Sequence, residues 1–368
     1  MKTIPFIDLK AQYQALKEPI QKRIQDVLEH GLFIMGPEVE ELEKKLAAFT
    51  GTKHALAVAS GTDAAVIAMM ALGIGPGDEV IMPAFSFIAT AETVLLVGAT
   101  PVYVDIDPKT FNLDVAQLEK ALSPKTKAIQ PVSLYGQTAD MDAINAFAKK
   151  HGLSVIEDAA QSFGAKYKSK RSCALSTVGV TSFFPAKPLG CYGDGGAIFT
   201  DDDQLAEAMR EIRVHGQKQR YYHTRIGVNG RLDTLQCAIL IPKLERFPWE
   251  LEQRAKWAER YNRAFSELRS KGVSVPELAP DRTSSWAQYT LVISNREKFQ
   301  KALQDQGIPT AIHYPRTMPD QPAYTKHGRT LNIEVSRRMA ETVVSLPLYP
   351  DMNEEIQDYV IERVLKFF

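Results

Sequence analysis

Apolar side chains at Leu9, Tyr13, Leu16, Ile20, Ile24, Val27 and Leu28 recur at steps of three and four, the stripe of an amphipathic helix over residues 9 to 29. A second helix is expected from Pro37, a favoured first-turn residue, to a stop at Gly51. Beyond it the pattern alternates. Short apolar runs near 54–60, 79–83, 100–106, 127–134 and 153–157 read as strands. Helical periodicity falls between them, near 62–72, 87–97, 114–122 and 140–150, and again near 203–213. Strands alternating with helices imply βαβ units. The expected fold class is therefore α/β, a mostly parallel central sheet with helices on both faces. In such a sheet ligands bind at the carboxyl ends of the strands.

After about residue 245 the character changes. Trp249 to Leu268 reads as a long, charged amphipathic helix, followed by a strand near 289–293 and a helix near 296–306. This predicts a large domain over residues 1–245 and a smaller α+β domain over 246–368, with the N-terminal helix packing on the small one. The glycine spacing of Gly73-Ile74-Gly75-Pro76-Gly77 is that of a dinucleotide loop. It follows a helix and precedes a strand, the wrong order for one, and is set aside.

Composition narrows the class. The 368 residues are 45% hydrophobic, enough for a large core and two domains. Lys+Arg and Asp+Glu both number 44, so no global field argues for nucleic-acid or membrane binding. No apolar run approaches the roughly 20 residues of a membrane span, and Met1 to Phe6 lacks the apolar core of a signal peptide. Cys173, Cys191 and Cys237 form no close-spaced pair, which suits free thiols in a reducing cytoplasm. The seven histidines show no metal-ligand spacing, so no metal is expected.

The chemistry concentrates in three segments. Lys187 lies between Ala186 and Pro188, and four glycines (Gly190, Gly193, Gly195, Gly196) follow closely. Pro188 removes a backbone donor and biases Lys187 away from helical geometry. Upstream, the apolar run Val155-Ile156 ends in Glu157-Asp158. A constrained lysine and a strand-end aspartate are what pyridoxal phosphate (PLP) chemistry requires. The amine makes a Schiff base with the cofactor aldehyde, and the carboxylate keeps the pyridine nitrogen protonated so that the ring accepts electrons. The third element is Ser60-Gly61-Thr62, a turn that opens the expected helix 62–72 and offers free N–H groups and a helix dipole to a phosphate. Each element alone has an ordinary reading as a solvated lysine or a helix cap; the three together, in this order, do not. Cys191, beside the lysine loop, reads as a small filler residue rather than a nucleophile.

These residues resemble a known family. Ser60-Gly61-Thr62-Asp63-Ala64, Glu157-Asp158-Ala159-Ala160-Gln161 and the run from Ser182 through Lys187 to Gly196 are similar to the DegT/StrS nucleotide-sugar aminotransferases, fold type I PLP enzymes. The likeness extends from Phe6-Ile7-Asp8-Leu9 to Ser345-Leu346-Pro347. Pro131 to Gln137, Gly227 to Gln236 and Ile312-His313-Tyr314-Pro315 resemble most the branch that aminates UDP-linked 3-keto-2-acetamido-hexuronic acids. The resemblance implies roles. Lys187 and Asp158 are catalytic, Gln161 lies near the cofactor's O3′, and Phe87 stacks on the ring. Gly61, Thr62 and Ser182 hold the phosphate, and Asn229 reaches the phosphate of the other subunit of a homodimer with shared sites. Arg231, His313 and Tyr314 face the sugar and its uronate carboxylate. It further implies a UDP-sugar substrate, L-glutamate as amino donor leaving as 2-oxoglutarate, and a place in bacterial surface-polysaccharide (O-antigen, lipopolysaccharide) synthesis. Lysine rather than histidine at 187 favours transamination over the dehydration run by a sister group. Gly230 departs from the serine expected there. A 4-keto nucleotide-sugar aminotransferase is the alternative reading; a PLP lyase or desulfurase and a PLP-fold regulator are further rivals.

Overall fold

The computed structural model describes residues 4–368. Helix α1 (Leu9–His30) is capped by Asp8 and closed by Gly31, and α2 (Pro37–Thr50) starts at its proline and ends at Gly51. Five strands follow with helices between them: β1 (His54–Val58), β2 (Glu79–Pro83), β3 (Thr100–Val104), β4 (Thr126–Ile129) and β5 (Ser154–Asp158). The first two crossovers are α3 (Gly61–Ala71) and α4 (Ala89–Leu96). These elements lie where the apolar runs and helical stripes put them.

The central sheet has eight strands, in the order β1, Gly196–Thr200, Val178–Ser182, β5, β4, β2, β3, Arg329–Thr330. Only Gly196–Thr200 runs antiparallel to its neighbours, β1 on one side and Val178–Ser182 on the other. The sheet is thus mostly parallel, with helices on both faces, as expected for a fold type I PLP transferase. Apart from Lys127 and the edge strand Arg329–Thr330 its strands are largely buried, with Leu56, Val80, Tyr103, Ile156, Val180 and Ile198 in one core layer against α3 and α4.

Residues from Trp257 to Val364, with Ile4, form a separate core around Tyr261, Tyr289, Leu291, Phe299, Leu346 and Val360. Its two strands, Tyr289–Val292 and Val343–Leu346, pair antiparallel. The long helix expected from Trp249 begins earlier: Thr234–Ala264 is one helix and contains both Pro242 and Pro248. α1 lies along it, and Gln12 donates to both carboxylate oxygens of the buried Glu250, at 2.9 and 3.0 Å.

Candidate active site

A cavity of about 590 Å³ opens at the carboxyl ends of β1, β2, β4 and β5, and the segment Ala311–Tyr314 forms its far wall. Gly61, Thr62, Phe87, Asp158, Gln161, Ser182, Lys187, His313 and Tyr314 all line it. Residues separated by up to 253 positions are brought together because the strands of a parallel sheet all deliver their last residue to the same edge.

Local sequence explains each placement. Ser60 caps α3, its Oγ accepting from Asp63 N at 2.9 Å, and the first intrahelical bond is Ala64 N to Ser60 O. The amides of Gly61 and Thr62 therefore precede the helical ladder and point out of the N-terminus. A side chain at Gly61 would stand 2.7 Å from Ser182 Cβ, so only glycine lets this turn close against the Ser182 hydroxyl. The result is a cradle of backbone amides and a hydroxyl that fits a phosphate. Phe87, in the turn between β2 and α4, is 52% exposed and presents its ring to the cavity 5.8 Å from that of Tyr314.

Lys187 lies in the connection between the paired strands Val178–Ser182 and Gly196–Thr200, whose ends meet at Ser182 and Gly196. The connection is folded on itself: Phe183 N donates to Gly195 O, Cys191 N to Phe183 O, and Lys187 N to Phe184 O. The Cys191 thiol donates to Phe183 O and Gly193 O, and burial pushes its pKa up to about 11, so it is a packed thiol and not a nucleophile. The Lys187 amine makes no hydrogen bond or ion pair with any described residue. Burial holds its pKa below the usual lysine value, and the nearby Asp158 charge opposes that.

Asp158 ends β5. Its Oδ1 accepts from Ala160 N at 3.0 Å, and its Oδ2 accepts from the Thr90 hydroxyl at 3.5 Å. Burial raises its pKa; the Ala160 amide, the Lys187 charge and Thr90 pull it back. Gln161 is fixed on both sides, its Oε1 accepting from Tyr135 N at 2.7 Å and its Nε2 donating to the Tyr314 hydroxyl at 3.1 Å. Tyr135 OH in turn donates to His313 O, and the His313 ring meets Ser345 Oγ at 3.2 Å through Nδ1. Burial and the Lys187 charge push the His313 pKa down to about 4, so the ring is neutral near pH 7.

Two of the expected residues are not among those that line this cavity. Asn229 and Arg231 lie on an extended strip in which Asn229 bridges Val214 and Arg231 bridges Val58. Gly230 between them packs on α3; a Cβ there would come within 2.8 Å of the Ile67 side-chain tip, a contact that a small shift of Ile67 relieves. Arg231 Nε is buried without a hydrogen-bond partner among the described residues. The polar cavity residues Ser86, Thr90, Thr93, Gln130, Thr181 and Gln288 carry no motif that marks them in the sequence. Ser86 and Thr90 flank Phe87 and share a hydroxyl contact at 3.1 Å. Finding Gln130 needs the register of β4 against β5, which periodicity does not give.

A lone uncharged-capable amine, a buried carboxylate and an amide-lined phosphate cradle in one cavity fit PLP. The known proteins to which the chain is similar agree. The profile of the DegT/DnrJ/EryC1/StrS aminotransferase family matches residues 14–365. The chain is 58% identical over 347 residues to UDP-2-acetamido-2-deoxy-3-oxo-D-glucuronate aminotransferase of Pseudomonas aeruginosa, covering 94% of this chain and 95% of that one. A crystal structure of a DegT/DnrJ/EryC1/StrS aminotransferase from Brucella abortus superposes with a TM-score of 0.95 at 43% identity, covering 99% of each chain. NtdA from Bacillus subtilis, solved with bound cofactor PMP, the amine form of PLP, superposes with a TM-score of 0.91 at 34% identity, covering 100% of this chain and 84% of that one. With the lysine, carboxylate and phosphate cradle in place and the likeness running nearly end to end, the chain belongs to the DegT/DnrJ/EryC1/StrS family of PLP-dependent aminotransferases.

Proposed function

We propose that the protein transfers an amino group from L-glutamate to the keto carbon of a UDP-linked 3-keto-2-acetamido-hexuronic acid, giving the 3-amino sugar for bacterial surface polysaccharide such as O-antigen. The observation that carries this reading is the 58% identity, over nearly the whole of both chains, to an aminotransferase named for that keto-uronate. The alternative, a 4-keto nucleotide sugar, would use the same cofactor residues and differ around the sugar.

When bound, PLP supplies the carbonyl that takes up the amino group and the ring that accepts electrons. Gly61, Thr62 and Ser182 would hold its phosphate, Phe87 would cover its ring, Gln161 would meet its O3′ and Asp158 its ring nitrogen. In this reading Lys187 is both the anchor and the base. Its lowered pKa supports the second role, because a released amine must be neutral to take up a proton from the donor's α-carbon and return one to the sugar carbon. Asp158, as a carboxylate, would face the ring nitrogen and hold the proton there. Tyr314 and neutral His313, on the far wall and held by Gln161 and Ser345, would face the substrate.

The protein would act as a homodimer in the cytoplasm. Asn229 and Arg231 lie outside the lining of their own chain's cavity, and Tyr221, Tyr222 and Ile226 stand exposed just before them. A second exposed apolar group, Leu32 to Met35, follows α1. Burial of these groups between two copies would let Asn229 reach a phosphate, and Arg231 a uronate carboxylate, in the partner's cavity. We also read residues 1–245 as the large domain and 246–368 as the small one, with the continuous helix Thr234–Ala264 shared between them.

The test is spectroscopic. Purified holoenzyme should show a visible cofactor band that shifts on adding L-glutamate and returns on adding the keto-uronate nucleotide. A band that ignores L-glutamate and every other amino donor overturns the transaminase reading.

A further inference from the structure

Gln130 is 1% exposed, lines the cavity, and has neither its amide oxygen nor its amide nitrogen hydrogen-bonded among the described residues. Both halves of a buried amide left bare is an unusual and costly arrangement. Its position says what it serves. Val132 bridges Asp158 in parallel register, and Ala128 pairs with Ser154. Alternation then puts Gln130, Val132 and Asp158 on one face of the sheet, with Gln130 one pleat below the carboxylate. Asp158 is itself underserved. Of the roughly four lone-pair positions of a carboxylate, the described residues fill one well, from Ala160 N at 3.0 Å, and one poorly, from Thr90 at 3.5 Å. Thr90 also shares its hydroxyl with Ser86. Gln130 does not reach Asp158 directly.

We propose that Gln130 is a positioning residue for Asp158, joined to it by one buried water that takes the amide on one side and the carboxylate on the other. Such a water needs two to four polar partners. Gln130 supplies two groups and Asp158 a lone pair, which meets that need. The bridge adds a hydrogen bond to the charged form of the carboxylate and offsets the burial that otherwise favours its protonation. The proposal rests on Asp158 being the ring-nitrogen partner.

The experiment compares wild type, Gln130→Met and Asp158→Asn as PLP-loaded enzymes, with a high-resolution crystal structure of the loaded wild type. The expected structure has an ordered water within hydrogen-bond distance of both the Gln130 amide and the Asp158 carboxylate. Gln130→Met is close in shape and removes only the amide. It should weaken PLP binding about tenfold, as the loss of one hydrogen bond to a charged group does. The pH midpoint of the visible band should move upward by about half to one unit, because a less positive ring makes the lysine-bound nitrogen easier to protonate. KM for L-glutamate should stay within about twofold. A holoenzyme structure with no water on Gln130, or with its amide bonded directly to the cofactor, overturns the proposal. So does a Gln130→Met enzyme with unchanged PLP affinity and band midpoint. If the variant does not fold, the wild-type structure decides alone. If Asp158→Asn leaves the band unchanged, the assignment of Asp158 has failed, not the bridge.

Discussion

Gln161 and Tyr314 are 153 residues apart and meet through one hydrogen bond, Nε2 to OH at 3.1 Å. The bond ties the end of β5, which carries Asp158, to the far wall, which carries His313. Because the Gln161 oxygen is already taken by Tyr135 N, the orientation of the amide is determined and the phenol oxygen must accept.

Tyr314→Phe removes that acceptor and leaves a buried donor unsatisfied, a cost of about 1–3 kcal/mol. The Tm of the variant should fall by about 2–8 °C, and turnover should fall with it because Gln161 is freed. Differential scanning calorimetry and steady-state rates check this. An unchanged Tm would mean that the contact holds nothing.

Asp158→Asn keeps the shape and can keep an oxygen facing Ala160 N, but it removes the charge and sets an NH2 where Oδ2 meets Thr90. The variant should bind PLP and turn over at least about 100-fold more slowly, the scale of a lost acid–base or electrostatic partner. A loss below a few-fold in kcat would place the ring-nitrogen partner elsewhere.

His313 gives a signed pH prediction. Its pKa is near 6.5 in the unfolded chain and pushed down to about 4 in the folded one. Between those values the unfolded state binds the proton and the folded state does not. The stability this residue contributes is therefore present above pH 6.5 and lost as pH falls towards 4. The effect is at most on the order of 3 kcal/mol, from about 1.36 kcal/mol per unit. His313→Asn should show a shallower fall of Tm between pH 6.5 and 4 than wild type; parallel curves would mean that the ring titrates normally.

Asn229 should act in trans. Lys187→Ala and Asn229→Ala are each expected to be inactive as homodimers. Mixed under conditions that exchange subunits, the hybrids carry both lesions in one site and none in the other, so activity should return. No recovery, with hybrids shown to form by mass spectrometry, contradicts a shared site.

Much of this arrangement is legible in the residues alone, for physical reasons. β1 to β5 are short apolar runs bounded by turn residues, and the helices that follow carry clear periodicity, so their positions needed no tertiary information. The strand Val178–Ser182 was less visible because Gly179, Thr181 and Ser182 interrupt its apolar character. The expected start of the long helix at Trp249, just after Pro248, lies well inside Thr234–Ala264. The true start shows that packing of a buried face, from Cys237 to Leu244, outweighs two interior prolines. Lys187, Asp158 and Ser60-Gly61-Thr62 stood out because each breaks a local pattern. Thr90 and Gln130 break none; Thr90 meets Asp158 from α4, and Gln130 shares its face of the sheet through strand register. Arg231 was legible as a residue type, but its place outside its own chain's cavity depends on how the strip 228–231 lies along β1.

Specificity for an acidic sugar is tested most directly by one comparison: kcat/KM for the UDP-linked 3-keto-2-acetamido-hexuronate against the same keto-sugar lacking the C6 carboxylate, for wild type and Arg231→Ala, with the product identified by NMR. Guanidinium pairs with a carboxylate through two parallel hydrogen bonds, and a charge-assisted bond is worth roughly 1.5–3 kcal/mol, or about 10- to 150-fold. The account predicts that wild type forms the 3-amino uronate, prefers it to the neutral sugar by about that factor, and loses the preference in Arg231→Ala. Equal use of the neutral sugar by wild type, or faster amination of a 4-keto nucleotide sugar, would contradict it.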